Sequence, residues 1–212
     1  MNTKTVFCIR HGETEGNTRK MYQQFTTPLS EEGIQQAVRV AARAKHLNHE
    51  VIIASHLTRA QQTAHAIHSV TGRPVITSEL FQERQRPSEI RGKYEDDPTA
   101  MVIASHLKEH YYSTDTLKRY SDEEFFFEMH ARAEQALGFL VEQSEKNLIV
   151  VSHREFLTML VLTSIFGKAL TPETYKTFWA HVQHANTGIT KLVYSTEKGW
   201  KLHTWSDEAH LG

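Results

Sequence analysis

The 212-residue chain is expected to fold as an α/β protein, a three-layer α/β/α sandwich around a mostly parallel central sheet. Two observations carry this expectation. Short apolar runs at residues 5–9, 51–54, 75–77 and 148–151 are rich in Val and Ile, as buried strands are. Between them lie longer segments with apolar residues at helical spacing, and alternating strands and helices build parallel sheets through right-handed crossovers. The length suits one core, so residues 1–212 are read as a single domain.

The elements follow in chain order. Thr5-Val6-Phe7-Cys8-Ile9 is the opening strand, with Cys8 a small buried residue inside it. Residues 12–27 are polar and mostly loop, with room for a short helix near Thr14. Pro28-Leu29-Ser30 reads as a helix entry with Ser30 as N-cap. Ile34, Ala37, Val38, Ala41 and Ala44 then form one inward face. Residues 51–54 are the second strand, followed by a helix with Leu57, Ala60, Ala64 and Ile67 on one side. Gly72-Arg73-Pro74 turns the chain into a third strand at 75–77. Periodicity weakens from 80 to 116, where 83–93 is a charged loop and Asp97-Pro98 opens a helix to about His110. Residues 111–115 read as a turn, and 122–144 as a long helix carrying Phe126, Met129, Ala133, Ala136, Leu137 and Leu140. Of Phe125-Phe126-Phe127, one ring is expected to be left outside the core. Residues 148–151 form the most apolar strand, and Phe156, Leu157, Leu160 and Val161 mark the next helix. Thr171-Pro172-Glu173 caps a short helix, and 187–194 and 200–205 are two closing strands.

Composition narrows the function classes. Lys and Arg number 24 against 25 Asp and Glu, a formal net charge of −1, which argues against a dedicated nucleic-acid binder. The apolar run at 156–166 is too short and interrupted to span a bilayer, and no signal-peptide pattern opens the chain. With Cys8 the only cysteine, there is no internal disulfide or cysteine-based zinc site. No Asn heads a glycosylation sequon. A cytoplasmic location is the natural expectation. The spacings His46-x-x-His49 and His65-x-x-His68 lack accompanying carboxylates and are read as surface residues, so no metal is expected.

Three strands end alike: Ile9 leads into Arg10-His11, Ala54 into Ser55-His56 with Arg59 one turn on, and Val151 into Ser152-His153. In a parallel sheet these carboxyl ends share one edge, where open α/β folds bind ligands. Arg10, His11, Arg59 and His153 together suit a dianion. Arg10-His11-Gly12-Glu13-Thr14 resembles the signature of the histidine phosphatase superfamily, the group that includes cofactor-dependent phosphoglycerate mutases. Pro28-Leu29-Ser30-Glu31-Glu32-Gly33 is similar to the family's helix entry, and residues 55–64 to its second, arginine-bearing motif. Leu80-Phe81-Gln82-Glu83 sits where the family has its acidic residue, Val150-Val151-Ser152-His153 matches the second catalytic histidine, and Asn186-Thr187-Gly188 resembles the start of a late strand.

The resemblance implies a phosphohistidine chemistry that the residue types can support. Arg10 and Arg59 are the expected phosphate clamps, because a planar guanidinium makes paired hydrogen bonds and stays charged. His11 is the expected nucleophile, with its other ring nitrogen donating to a backbone carbonyl. A protonated His153 would stabilise the transferring oxygens. Asn17, Asn186 and the backbone at Gly12 are further candidate phosphate contacts. Glu83 is the expected proton donor, although Glu79 and Glu89 lie close by. Arg84, Arg86, Arg91 and Lys93 fit either a solvated loop or a second anionic group on the substrate, with Arg86 and Arg91 the candidates for specificity.

The chain departs from the family at Gly16, where tryptophan is frequent, at Arg154, where glycine is usual, and at Thr26-Thr27, where an aspartate is common. The stretch between Glu83 and His153 is shorter than in the mutases, which must exclude water. The expectation is therefore a metal-independent, cofactor-free phosphatase acting on a phosphorylated metabolite or phosphorylated protein side chain. Residues 84–124 are expected to form a substrate-selecting lid. The alternatives are a phosphoglycerate mutase and a non-catalytic phospho-ligand-binding protein. Oligomeric state is left open.

Overall fold

The computed structural model describes residues 3–212; Met1 and Asn2, part of the single-domain expectation, lie outside the described residues. Six strands, β1 (Thr3–Arg10), β2 (Val51–Ala54), β3 (Val75–Thr77), β4 (Asn147–Ser152), β5 (Ile189–Ser195) and β6 (Gly199–Asp207), form one sheet in the order β3-β2-β4-β1-β5-β6. The β3-β2, β2-β4 and β4-β1 pairs are parallel, and β5 and β6 join antiparallel. The helices are α1 (Glu15–Thr18), α2 (Glu31–Ala44), α3 (Thr58–Thr71), α4 (Pro98–His110), α5 (Phe126–Glu142), α6 (Arg154–Phe166) and α7 (Pro172–His181).

Side chains alternate across a strand, and here both faces are buried. Phe7, Ile9, Ile52, Ala54, Ile149 and Val151 pack with Val40, Ala41 and Ala44 of α2 and Ala60, Ala64 and Ile67 of α3. Val6, Cys8, Val51, Ile53, Leu148 and Val150 pack on the other face with residues of α5 and α6, among them Phe126, Met129, Phe156 and Leu160. This is the expected sandwich. Among the described residues no helix is long and apolar enough to cross a membrane.

Several expectations need correction. The inward face of α2 is Gly33, Ala37, Val40, Ala41 and Ala44, while Ile34 and Val38 are about half exposed, at 49 % and 56 %. Helical spacing allows either of two adjacent stripes, and the stripe of small residues lets α2 approach its neighbours closely. Helix α5 starts at Phe126, not at 122, because the preceding acids are committed elsewhere. Asp122 accepts from Ser88 N at 2.7 Å and Arg91 Nη2 at 2.8 Å, and Glu123 accepts from Tyr120 N at 2.6 Å and Ser121 N at 2.8 Å. Strand β5 begins at Ile189, two residues late, since Thr187 has φ of 58° and donates its N–H to Arg10 O at 2.9 Å. His49 is buried beyond the end of α2 and donates Nδ1–H to Leu47 O at 2.9 Å, so it is not a surface residue. His46 and His65 are exposed as expected. Phe125 and Phe126 are buried and Phe127 is 38 % exposed, so one ring of the three is left outside.

Candidate active site

Strands β2, β4 and β1 are neighbours in the sheet, so their carboxyl ends lie side by side, with strands about 4.8 Å apart. Arg10 pairs with Ser152 in the ladder, His11 N donates to Ser152 O at 2.9 Å, and Ser55 N donates to Val151 O at 3.0 Å. His153 follows as the extended N-cap of α6. The sheet thereby delivers two imidazoles to one place: the His11 and His153 ring centroids are 5.1 Å apart, and both side chains are almost wholly buried.

The partners of His11 decide its tautomer. Nε2 receives Arg59 Nε at 3.2 Å, and a guanidinium can only donate. Nδ1 therefore carries the proton and donates it to Gly12 O at 2.6 Å. Burial, then the charges of Arg59 and Arg10, hold the His11 pKa well below the usual imidazole value. The result is a neutral ring with its lone pair on Nε2, directed at Arg59.

His153 is held by Ser55, whose Oγ lies 2.8 Å from Nε2, while Nδ1 is buried without a partner. Burial, then Arg59, His11 and Arg10, keep its pKa well below the ordinary value. The free site therefore holds His153 neutral, and the protonated form requires an anion to arrive. Arg10 donates Nη1 to His184 O at 2.6 Å, and its buried Nε has no partner. Arg59 donates Nη1 to Gln24 O at 3.2 Å. Burial depresses both guanidinium pKa values to about 10, which leaves them charged at neutral pH.

Glu83 lies across the same cavity. Its carboxylate accepts from Arg84 N at 2.9 Å, Phe156 N at 3.0 Å and Glu155 N at 3.3 Å, the latter two from the first turn of α6. Burial, then the Glu155 charge, raise its pKa above the normal carboxyl value despite those donors. Glu155 stays ionised because Arg86 and Arg84, both paired to it, outweigh the effect of its burial. Glu79 and Glu89 do not line the cavity.

Arg10, His11, Asn17, Arg59, Glu83, Arg86 and Arg91 all line one cavity of about 310 Å³. Asn17 anchors its Oδ1 on Thr14 N at 3.0 Å, which leaves its amide nitrogen for the cavity. Three candidates, His153, Gly12 and Asn186, are not among the cavity's lining residues, and His153 is fully buried beside the His11 ring. Gly12 N donates to Thr63 Oγ1 at 3.1 Å, and the next N–H, of Glu13, donates to Gln36 Oε1 at 2.9 Å. A Cβ at Gly12 would come 2.4 Å from Gly33 O, so its need for glycine is steric. Asn186 donates Nδ2 to His11 O at 2.9 Å and holds the backbone of His11 from behind. His56 also lies outside the cavity; in Ser55-His56 it is the serine that reaches the site.

The sequence reading missed Ser55, Glu155 and Trp179, which lies on α7 and lines the cavity. Glu155 follows His153 by two residues, and that proximity was its one visible signal. Nothing in the sequence marked Trp179. Among the described residues no group of three or more His, Cys, Asp or Glu side chains is arranged to hold a metal ion.

The description of the histidine phosphatase superfamily (branch 1) matches residues 6–208. The chain belongs to this superfamily. A protein named probable phosphoglycerate mutase GpmB from Escherichia fergusonii is 28 % identical over 97 % of this chain and 94 % of its own length. Bacillus stearothermophilus YhfR superposes with a TM-score of 0.81 at 24 % identity, covering 99 % of this chain and 100 % of that one. A phosphoserine phosphatase of Entamoeba histolytica, solved as a mutant with phosphoserine, gives a TM-score of 0.72 at 26 % identity over 99 % and 100 % of the two chains. Chain and relatives share a phosphoglycerate mutase-like fold, and the superfamily is one of phosphatase and mutase enzymes.

Proposed function

We propose that the protein is a metal-independent phosphomonoesterase that forms a phosphohistidine on His11. The observation that carries this reading is the tautomer: a neutral imidazole, its Nδ1–H fixed on Gly12 O, presents the Nε2 lone pair to the buried Arg59 guanidinium. In the first step Nε2 attacks phosphorus, the ester P–O bond breaks, and protonated Glu83 gives its proton to the leaving alkoxide. In the second, water attacks phosphorus, the P–N bond breaks, and the Glu83 carboxylate takes the water's proton. Arg10 and Arg59 hold the charge spread over the outer oxygens. His153 takes up a proton when the dianion offsets the repulsion of its neighbours, and Asn17 adds a donor.

Residues 84–124 act in this reading as the segment that selects substrate. Ile90, Ala100, Ile103 and Leu107 give it a small core of its own, and Arg84 ties it to Glu155 at 3.4 Å. Phosphorylated small metabolites such as phosphoserine are the expected class. The name of the Escherichia fergusonii relative favours a second reading, a phosphoglycerate mutase.

Phosphate release from para-nitrophenyl phosphate in excess chelator tests the first reading. Wild type is expected to turn over, and His11→Ala to lose activity by at least about a thousandfold together with the acid-labile phosphoryl adduct. Equal rates in both proteins overturn the nucleophile assignment, and binding of phosphate without turnover favours a ligand-binding protein. Rapid isomerisation of 3-phosphoglycerate primed with 2,3-bisphosphoglycerate, with little free phosphate, favours the mutase.

A further inference from the structure

The cavity holds more positive charge than a phosphoryl group needs. Seven basic side chains line it against three acidic ones, and Glu83 in its protonated form carries no charge. A phosphomonoester dianion answers two of the surplus charges.

The rim guanidiniums differ in what already satisfies them. Arg84 and Arg86 share the Glu155 carboxylate, and Arg84 also lies 3.6 Å over the Tyr111 ring. Arg91 donates to Asp122 Oδ2 at 2.8 Å and to Arg86 O. Arg86 and Arg91, the sequence's candidates for a second anion, both already have carboxylate partners. Arg154 does not: among the described residues it makes no ion pair and donates no side-chain hydrogen bond. Its guanidinium instead lies 4.3 Å over the Trp179 ring. Stacking on an indole face fixes the plane of a guanidinium while leaving its five N–H donors unused.

The position of Arg154 is also electrostatically adverse. It is the first residue of α6, where the helix dipole favours anions over cations. Its charge adds to burial in lowering the pKa of Arg10. A cation so placed, next to another cation and without a partner, is relieved when a bound anion reaches it.

We infer that the substrate carries a second anionic group, a carboxylate or a further phosphate, and that Arg154, braced on Trp179, is the residue that receives it. The inference rests on the phosphomonoesterase reading of the same cavity. It makes Arg154 a specificity-determining residue, distinct from the pair that holds the scissile phosphoryl group.

The test uses matched substrates. 3-Phosphoglycerate and glycerol 3-phosphate differ by a carboxylate in place of a hydroxymethyl group. Fructose 1,6-bisphosphate and fructose 6-phosphate differ by a phosphate. Wild type is expected to prefer the more anionic member of at least one pair by roughly ten- to a hundredfold in kcat/KM, the range for a hydrogen bond to a charged group. Which pair shows the preference identifies the group. Arg154→Gln is expected to abolish most of that ratio, and Arg154→Lys to retain part of it. Equal kcat/KM within both pairs overturns the inference while leaving the hydrolase reading intact. A ratio unchanged in Arg154→Gln, with all substrates slowed alike, places Arg154 on the scissile phosphate and also overturns it. If wild type hydrolyses nothing, the hydrolase reading fails alone, and calorimetric binding of the same pairs decides. Tighter binding of the more anionic member, lost in Arg154→Gln, supports the inference; equal or absent binding overturns it.

Discussion

At the scale of single residues, the site separates the states of its titratable groups. His11 is held neutral by burial and two guanidiniums, while burial and the Glu155 charge raise the Glu83 pKa above the normal carboxyl value. A nucleophile whose pKa is lowered and an acid whose pKa is raised widen the pH range over which both are in their working forms. On the proposed mechanism kcat/KM falls as pH rises through the Glu83 pKa, because the leaving alkoxide then lacks its proton. Glu155→Gln removes the nearby negative charge and leaves Arg84 and Arg86 without their carboxylate. Both changes favour ionised Glu83, so the alkaline midpoint of the kcat/KM profile is expected to move to lower pH. A midpoint that stays in place or rises would show that Glu155 does not tune Glu83. The histidines and arginines of this cluster were legible from the sequence because each occupies a strand end or the following turn. Glu155 was not, since its influence depends on the fold bringing residue 83 to the start of α6.

At the scale of elements, the loop after β1 is locked against the entry to α2. A Cβ on Gly33 would lie 2.0 Å from Glu13 O, a backbone atom that no side-chain rotation can move. Ser30 caps α2 through Gly33 N at 3.0 Å and also donates to a Glu13 carboxylate oxygen at 2.9 Å. Gly33→Ala is expected to destabilise by about 1–3 kcal/mol or more in urea unfolding, as overpacking does, and to displace the backbone that positions His11. Gly138, on the exposed face of α5 with open space where a Cβ would lie, provides the contrast. Gly138→Ala is expected to stabilise by about 0.5–1 kcal/mol, the helix propensity difference. Equal effects of the two substitutions would refute the close packing assigned to Gly33. The helix entry at Ser30 was readable as a cap, and Ala37, Ala41 and Ala44 as part of the inward face of α2, whereas Gly33 and Val40 take the places expected for Ile34 and Val38. Ile34 is more apolar than Gly33, but only the smaller residue fits against Glu13.

At the scale of the whole molecule, buried histidines couple the fold to pH. His11 and His153 lie well below the ordinary imidazole pKa, and His184 is lowered to about 3 by burial, then by Arg10 and Arg154. Unfolding restores their normal values, so between about pH 6.5 and the depressed folded values the unfolded chain binds more protons. Stability from these groups is complete above pH 6.5 and is lost as pH falls. Glu83 acts in the opposite sense, as one group against these histidines and His49, whose pKa burial also lowers. Tm is therefore expected to drop between pH 7 and pH 5. Inorganic phosphate should recover part of the loss, because a bound anion lets His153 hold its proton. A flat Tm over that range, or no response to millimolar phosphate, would contradict the buried cluster. The expected sandwich, its parallel centre and the order of its elements all follow from the alternation of short apolar runs with helical stripes. Starts of elements such as Phe126 and Ile189 do not, because hydrogen bonds to distant residues set them.

The sequence by itself determined the class of fold and the family, and it raised the expectation that Arg10, His11, Arg59 and His153 gather at one sheet edge. Each of these is encoded locally, by residue type at the end of a recognisable strand or in the turn that follows. Only the tertiary structure decided which nitrogen of His11 is free, that Gly12 and Asn186 support the backbone instead of facing the cavity, and that Arg154 alone among the rim arginines has no carboxylate beside it. Those properties belong to distances between segments far apart in the chain, and hydrogen bonding, burial and charge all act through distance.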